Sequence, residues 1–209
     1  MKKKSRTSAP RKRWRQVSIH EVLTSWFLSE PKNPHNQKLS KKDYANKAYP
    51  SIVQAYGLFL RHLPHCDWFL VDLKRPEELM VLQVINERSW NHKTPKSRPV
   101  GILTQTDSIP KPHAIRVNAL AATRGLHKLL NKRVVLFGHH RDDFFSIIDG
   151  NHRLLAYARA ISHKNAAWRP FKAYVGISLG PCRWHGDDVS WTERPPRSAN
   201  EKRFVLNIW

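Results

Sequence analysis

The pattern of apolar and polar positions predicts helices for the first third of the chain. Residues 17–30, VSIHEVLTSWFLSE, carry apolar side chains at the spacing of an amphipathic helix. Ser40 precedes Asp43 by three residues, as in a capping box, and Pro50 opens the apolar helix predicted for residues 50–63. Residues 16–65 are therefore interpreted as a helical N-terminal extension.

After residue 66 the pattern changes to alternating strands and helices. DWFLVDL (67–73) predicts a strand, PEEL (76–79) the start of a helix, and VGILT (100–104) a short strand. Further predicted elements are a helix at 114–132, strands at 133–140 and 144–150 joined by a turn at RDD, a helix at 151–164 and a strand at 168–179. The fold class predicted is α+β, with a basic tail (1–15), a core (66–180) and a loop-rich end (181–209).

The charge of the chain narrows the class of partner. Thirty-seven Lys and Arg residues against 16 Asp and Glu give a formal net charge of +21. Such a surface attracts polyanions, with nucleic acid preferred over an acidic membrane. Residues with predicted nucleic-acid contacts lie in the tail and in the proline-rich loop 91–113: Lys2, Lys3, Lys4, Arg11, Lys12, Arg13, Arg15, Lys93, Lys96 and Arg98. Trp90, beside that loop, is interpreted either as a surface for base stacking or as a core residue.

Other features of the composition favour a cytoplasmic protein. Cys66 and Cys182 are far apart and form no metal-binding or disulfide pattern. No segment approaches the roughly 20 apolar residues of a membrane span, and no apolar stretch follows the basic tail as in a signal peptide. We therefore expect no membrane partner.

The chemistry of greatest interest lies in IIDGNHR (147–153), where a predicted strand turns into a predicted helix. The first backbone N–H groups of a helix attract anions. Gly150 permits the tight turn and Asn151 can cap the helix. Arg153 can clamp phosphate oxygens, His152 can transfer a proton, and Asp149 can hold a divalent metal. The alternative is an ordinary Asp-Gly turn with a capped helix and surface His and Arg side chains.

The run IIDGNHRLLAYA resembles the D-G-x-H-R signature of the ParB/sulfiredoxin-like superfamily, and the resemblance covers roughly residues 67–180. It implies a mixed sheet with flanking helices, and a phosphate site for ATP or another nucleotide at Gly150, Asn151, His152 and Arg153. One branch, the plasmid fertility-inhibition or oncogenic-suppression factors, implies ATPase and DNase activity.

Departures from the superfamily pattern sort its branches. Sulfiredoxins need a cysteine where this chain has Asn151, so their thiol chemistry is set aside. Partition proteins carry a further DNA-binding domain, for which the roughly fifty residues after the motif leave little room. Serine kinases share a similar motif, but a charge of +21 is hard to explain with free serine as the substrate.

Three further groups are candidates for chemistry. Glu87 precedes the basic loop and is either a general base or an exposed helix residue. His139, His140, Asp142 and Asp143 crowd the predicted hairpin tip, where a solvated turn is favoured over a metal site. In CRWHGDDVSW (182–191), Cys182, His185, Asp187 and Asp188 either fold back towards a metal or form an ordinary turn.

The charge and the resemblance together predict a nucleotide-hydrolysing, DNA-acting protein, an ATPase and/or a metal-dependent DNase, in the bacterial cytoplasm. The resemblance alone implies that it is of the kind plasmids use to inhibit conjugative transfer. Asp149, His152, Arg153 and Glu87 are the predicted catalytic residues, with Mg²⁺ or Mn²⁺ at Asp149. The alternatives are a non-catalytic nucleic-acid-binding regulator with a retained phosphate site, and a small-molecule kinase.

Overall fold

The computed structural model describes residues 14–29, 63–85, 90, 99–105, 108–123 and 125–185. Within them, the strands are β1 (Arg15–Val17), β2 (Asp67–Leu73), β3 (Gln83–Val84), β4 (Val134–Gly138), β5 (Ser146–Asp149) and β6 (Phe171–Ile177). The α-helices are α1 (Ile19–Ser29), α2 (Pro76–Met80), α3 (Val100–Gln105), α4 (Lys111–Ala121) and α5 (Asn151–Ser162). Short 3₁₀ helices span Leu126–Asn131 and Arg183–His185. The protein is α+β.

The strands form one mixed sheet in the order β1-β2-β6-β4-β5-β3. β6 is parallel to β4 and antiparallel to β2, whereas β5 is antiparallel to β4 and parallel to β3. The carboxyl ends of β3 and β5 therefore meet the amino ends of β4 and β6 at one edge of the sheet. We call this the α5 edge, because α5 begins there, and the opposite one the tip edge, because the β4–β5 turn lies there.

Each face of the sheet is covered, because alternate side chains of a strand point to opposite faces. Val134 and Leu136 of β4 lie in the larger core cluster with α3, α4 and α5. Val135 and Phe137 lie on the other face with Val22, Leu23 and Trp26 of α1. The described part of the predicted N-terminal extension thus packs on the sheet and adds β1 to its edge.

Several predicted elements occur close to their predicted bounds. β2, β4, β5, α5 and β6 lie where the sequence places them, and β4 and β5 form the predicted antiparallel pair. The capping-box segment and most of the helix predicted for residues 50–63 lie outside the described residues.

Two predictions of secondary structure are wrong. VGILT is helical, because Val100, Leu103 and Thr104 are buried on one side while Ile102 is 55% exposed. That is the spacing of a helix. A run of only five residues is too short to distinguish the 3.6-residue period of a helix from the two-residue period of a strand. The single helix predicted for 114–132 is interrupted: α4 ends at Ala121, and Gly125, in a left-handed conformation with φ 71°, begins a separate 3₁₀ turn.

Within the described residues, no helix is both long and apolar enough to cross a membrane.

Candidate functional site

The turn between β5 and α5 is held tightly against β4. Gly150 has φ 101°, a left-handed conformation that favours glycine. A Cβ atom at this position would lie 2.5 Å from Cγ1 of Val134, so a side chain would not fit. Gly150, and not Asn151, is the N-cap of α5, and it makes no side-chain capping bond. The close approach fixes where the first N–H groups of α5 are placed at the α5 edge.

Asn151 uses its side chain inside the protein. The side chain is buried, with the residue 8% exposed. Its Oδ1 accepts a hydrogen bond from the backbone N–H of Ile85 at 3.1 Å, and its Nδ2 donates to the carbonyl of Ile147 at 3.1 Å. Asn151 thereby joins the chain after β3 to β5. It is not the capping residue that the sequence predicts, and its amide binds backbone groups.

Asp149 and Arg153 form an ion pair across the same turn. Arg153 Nη2 lies 2.7 Å from Asp149 Oδ2, and the two side chains are only 15% and 20% exposed. Arg153 Nη1 also donates to the carbonyl oxygens of Leu129, at 3.3 Å, and Lys132. The guanidinium thus holds the 3₁₀ turn against α5, and phosphate would have to compete with three internal acceptors.

His152 points to a different group of residues. Its Nε2 lies 3.0 Å from Nδ1 of His113, which belongs to the first turn of α4. The ring of Trp90 stacks on His113 with the centroids 3.7 Å apart and an interplanar angle of 9°, and it lies 5.0 Å from the ring of His152. Trp90 is only 3% exposed, so it supports the histidine pair from the core and is not a surface for base stacking.

Two helix amino termini meet at this pair, since His113 lies in the first turn of α4 and His152 in the first turn of α5. Both first turns lie at the positive end of a helix dipole. In α4, Pro112 has no N–H group and the N–H of His113 donates to the carbonyl of Pro110 at 2.8 Å. The backbone N–H donors for an anion are therefore assigned to the first turn of α5. Arg116 lies one turn further along α4. The local field therefore favours an anion.

The surroundings keep His152 neutral at pH 7. Burial is the largest cause that lowers the pKa of His152 from 6.5 to about 4, and the positive charges of Arg116 and His113 are the smaller causes of the same shift. A neutral imidazole has one donor nitrogen and one acceptor nitrogen. His152 can therefore accept a proton or donate a hydrogen bond to a phosphate oxygen, as the sequence predicts.

His113, Arg116 and Trp90 are the neighbours that sequence reasoning did not assign to the site. The signal was weak: His113 follows two prolines at the start of a predicted helix, 39 positions before His152. Glu87, Lys93, Lys96 and Arg98 lie outside the described residues, as do Asp187 and Asp188 and the basic residues of the tail up to Arg13. Arg15 is described, and its Nη2 pairs with Glu21 at 2.9 Å.

The second group of histidines lies at the tip edge, as expected for the β4–β5 turn. His185 folds back to this turn, with Nδ1 3.0 Å from Ser146 Oγ and Nε2 3.8 Å from Asp143 Oδ2. His139 Nδ1 lies 2.7 Å from the carbonyl oxygen of Ser178. Cys182 is buried in the core. Nowhere in the described part of the chain are three His, Cys, Asp or Glu residues arranged to hold a metal ion.

Comparisons of the chain with protein-family models, with curated proteins and with solved structures give no significant match.

Proposed function

We propose that the protein is a nucleotide-hydrolysing, DNA-acting protein whose phosphate site lies at the first turn of α5. The observation that carries this proposal is that the pair of His113 and His152, whose ring nitrogens lie 3.0 Å apart, is placed at the amino terminus of α5. Helix amino termini bind phosphate through their backbone N–H groups. A neutral histidine beside them provides the means for proton transfer.

Some residues of the turn position the first turn of α5, and others take part in the proposed chemistry. Asp149, Asn151 and Arg153 fix the first turn of α5 relative to β3, β5 and the 3₁₀ turn. A phosphate would accept hydrogen bonds from the first-turn N–H groups. In hydrolysis, the proton of the attacking water passes to the histidine pair as the new P–O bond forms, and a proton is returned to the leaving oxygen as the old bond breaks.

A divalent metal at Asp149, as the sequence predicts, would have to compete with an ion pair. The carboxylate is paired with Arg153 at 2.7 Å, and the described neighbours provide no group of three metal ligands. Mg²⁺ in nucleotide sites is held by one or two carboxylates together with phosphate oxygens and water, so Asp149 would have to leave Arg153 to serve as its ligand. The proposed chemistry is therefore assigned to the histidines.

The resemblance of IIDGNHR to the ParB/sulfiredoxin-like signature supports the same proposal, and a six-stranded mixed sheet with helices is compatible with it. The biological role that follows from the resemblance, inhibition of conjugative DNA transfer by a plasmid-encoded protein, is part of the proposal. The charge of +21 supports DNA as the partner.

The test is hydrolysis of ATP and cleavage of plasmid and single-stranded DNA, each with and without Mg²⁺ or Mn²⁺. Wild type is compared with His152→Asn, with His113→Asn and with the control His163→Asn. His163 lies at the other end of α5 and is exposed. Loss of a general acid or base reduces the rate by about 100- to 10,000-fold. We expect that loss in the first two variants and a wild-type rate in the control.

A second candidate function is a DNA-binding regulator without catalysis. It is favoured by the internal hydrogen bonds of Asn151 and Arg153, which are the same bonds a purely structural turn would need. This candidate predicts salt-sensitive DNA binding with no phosphate release by wild type. Hydrolysis that is equal in wild type and both histidine variants would also count against the catalytic proposal, because it would come from another site or from a contaminant.

A further inference from the structure

A basic groove lies at the α5 edge of the sheet, next to the candidate site. It is a hollow of about 430 Å³ between the 3₁₀ turn Leu126–Asn131, the start of β4 and the segment that leads into β6. Leu130, Pro170 and Phe171 provide its apolar lining. Its polar lining, which defines the basic groove, consists of His127, Asn131, Arg133, Arg169 and Lys172.

The charges of the basic groove have one sign. Three of its five polar residues are Arg or Lys, and no acidic residue lines it among those the structure describes. Asp72 is the strand partner of Lys172 on β2, but it does not line the groove. The side chains of Arg169 and Lys172 belong to exposed residues. A concave surface with fixed positive charge and an apolar floor fits the phosphates and sugars of a polynucleotide.

The basic groove continues into a second hollow of about 500 Å³ beneath α1, which shares Asn131 and Arg133 with it. Glu21 is the acid in this second hollow, and its charge is compensated. It pairs with Arg15 at 2.9 Å and with Arg133 at 3.4 Å. Arg133 also lies over the ring of Tyr174, with Cζ 5.0 Å from the centroid. Arg133 and Glu21 are the Arg and the acid that line this second hollow, so the uncompensated positive charge is concentrated at Arg169 and Lys172 of the basic groove.

The basic groove is physically linked to the turn of the candidate site. Arg153 donates hydrogen bonds to the carbonyls of Leu129 and Lys132, which flank Asn131 and Leu130 in the wall of the groove. The starts of β4 and β6 lie at the α5 edge because these strands are parallel. A strand of nucleic acid in the groove would therefore run along the same edge as the first turn of α5.

We propose that the basic groove binds the phosphodiester backbone of a nucleic acid and directs it past the first turn of α5. The inference rests on the proposed function in one respect, that a nucleic acid is the partner. It assigns the contact to the folded domain, with Arg169 and Lys172 as phosphate-binding residues. Contacts of this kind position a polynucleotide without reading its sequence.

The test measures binding of the full-length protein to fluorescently labelled oligonucleotides over a range of salt concentrations. The probes are single-stranded DNA, double-stranded DNA and single-stranded RNA, and vesicles of anionic phospholipid form a separate arm. The variants are Arg169→Gln, Lys172→Gln and the double variant. The control is Lys164→Gln, which removes one positive charge from an exposed residue at the far end of α5.

Each lost phosphate contact reduces the slope of log K against log salt by about 0.9 for duplex DNA and about 0.7 for single strands. We expect the double variant to lose about two such increments and to bind roughly tenfold more weakly near physiological salt. Lys164→Gln should keep the wild-type slope. ATP hydrolysis without DNA should be unchanged in all of them, because none of the substituted residues belongs to the histidine pair.

The outcomes separate the groove from the proposed function. In one outcome, wild type binds DNA tightly and in a salt-dependent way while the groove variants show the same slope. That result would overturn the proposal that the basic groove binds the backbone, and DNA would remain the partner. Absence of nucleic-acid binding by wild type would overturn both. Binding to anionic vesicles with no binding to any oligonucleotide would assign the groove to a membrane surface and also overturn the proposal.

Discussion

The two sides of the first turn of α5 use neighbouring polar residues for different purposes. On one side, Asn151 is hydrogen-bonded to the backbone of β5 and of the residue after β3, while Arg153 pairs with Asp149 and donates to the 3₁₀ turn. On the other side, His152 pairs with His113 of a second helix, against the buried ring of Trp90. The five residues 149–153 thus contain both a structural set and a candidate chemical group. The structural set, which we call the bracket, consists of Asp149, Asn151 and Arg153, and the candidate chemical group is His152.

A short sequence motif does not reveal which partner each of its polar side chains binds in the folded protein. A residue that can bind phosphate can equally satisfy a buried backbone group, and the competing partner is decided by elements distant in the chain. Ile85 lies 66 positions before Asn151, and His113 lies 39 positions before His152. Substitutions on the two sides of the turn test whether the bracket determines stability and whether His152 determines chemistry.

The largest effect is expected for Gly150→Ala. A left-handed conformation costs a residue with a Cβ atom about 1–2 kcal/mol, and overpacking costs about 1–3 kcal/mol more, so the free energy of unfolding should fall by about 2–5 kcal/mol. Gly125→Ala is the control, since Gly125 has φ 71° but its nearest neighbour to a new Cβ lies at 3.5 Å. Urea denaturation should show a loss of only about 1 kcal/mol for Gly125→Ala. Equal losses would contradict the close approach to Val134.

A smaller loss of stability is expected for Asn151→Ala. The substitution leaves the N–H of Ile85 and the carbonyl of Ile147 without the amide that joins them, and an unsatisfied buried polar group costs about 1–3 kcal/mol. His152→Ala, on the other side of the turn, should cost less, because its partner is a side chain that can rearrange. Urea denaturation of both variants at pH 7 gives the comparison. If His152→Ala were the more destabilising, the division between bracket and chemistry would be wrong.

Asp149→Asn should cost about 1–2 kcal/mol, because it replaces the carboxylate that accepts from Arg153, whose side chain is only 15% exposed, by a neutral amide that is a weaker acceptor. Arg153 would keep its two carbonyl acceptors, which limits the loss. Asp142→Asn, at an exposed position in the β4–β5 turn, should change stability by less than about 0.5 kcal/mol. Thermal and urea unfolding of the two variants measure the difference. An Asp149→Asn protein as stable as wild type would mean that the ion pair does not hold the turn.

The smallest and most specific effect concerns pH. Because the pKa of His152 is lowered from 6.5 to about 4 in the folded protein, the unfolded chain binds a proton more readily between these values. The contribution of His152 to stability is therefore complete above about pH 6.5 and is lost as the pH falls towards 4. His152→Gln should flatten this part of the pH dependence in a series of urea midpoints. An unchanged profile would place His152 in a solvent-like environment.

Much of the core was predictable because its periodic signals are strong. β4 and β5 are short apolar runs on either side of a polar turn, and α5 contains a run of five fully buried residues, 154–158. VGILT was mispredicted because five apolar residues fit a buried strand or one turn and a half of helix equally well, and packing against α5 selects the helix. The strand at Arg15–Val17 overlaps the predicted helix 17–30 only at Val17, and it forms because β2 offers it an edge.

The sequence by itself determined the α+β class, the turn at Gly150 and the excess positive charge, because glycine chemistry, periodicity and composition are local properties. Only the tertiary structure decided which polar groups of that turn face the protein. Hydrogen-bond partners such as Ile85, Leu129 and His113 reach the turn through sheet pairing and helix packing. The basic groove is of the same kind, since Arg133 and Arg169 become neighbours only because β4 and β6 pair in parallel.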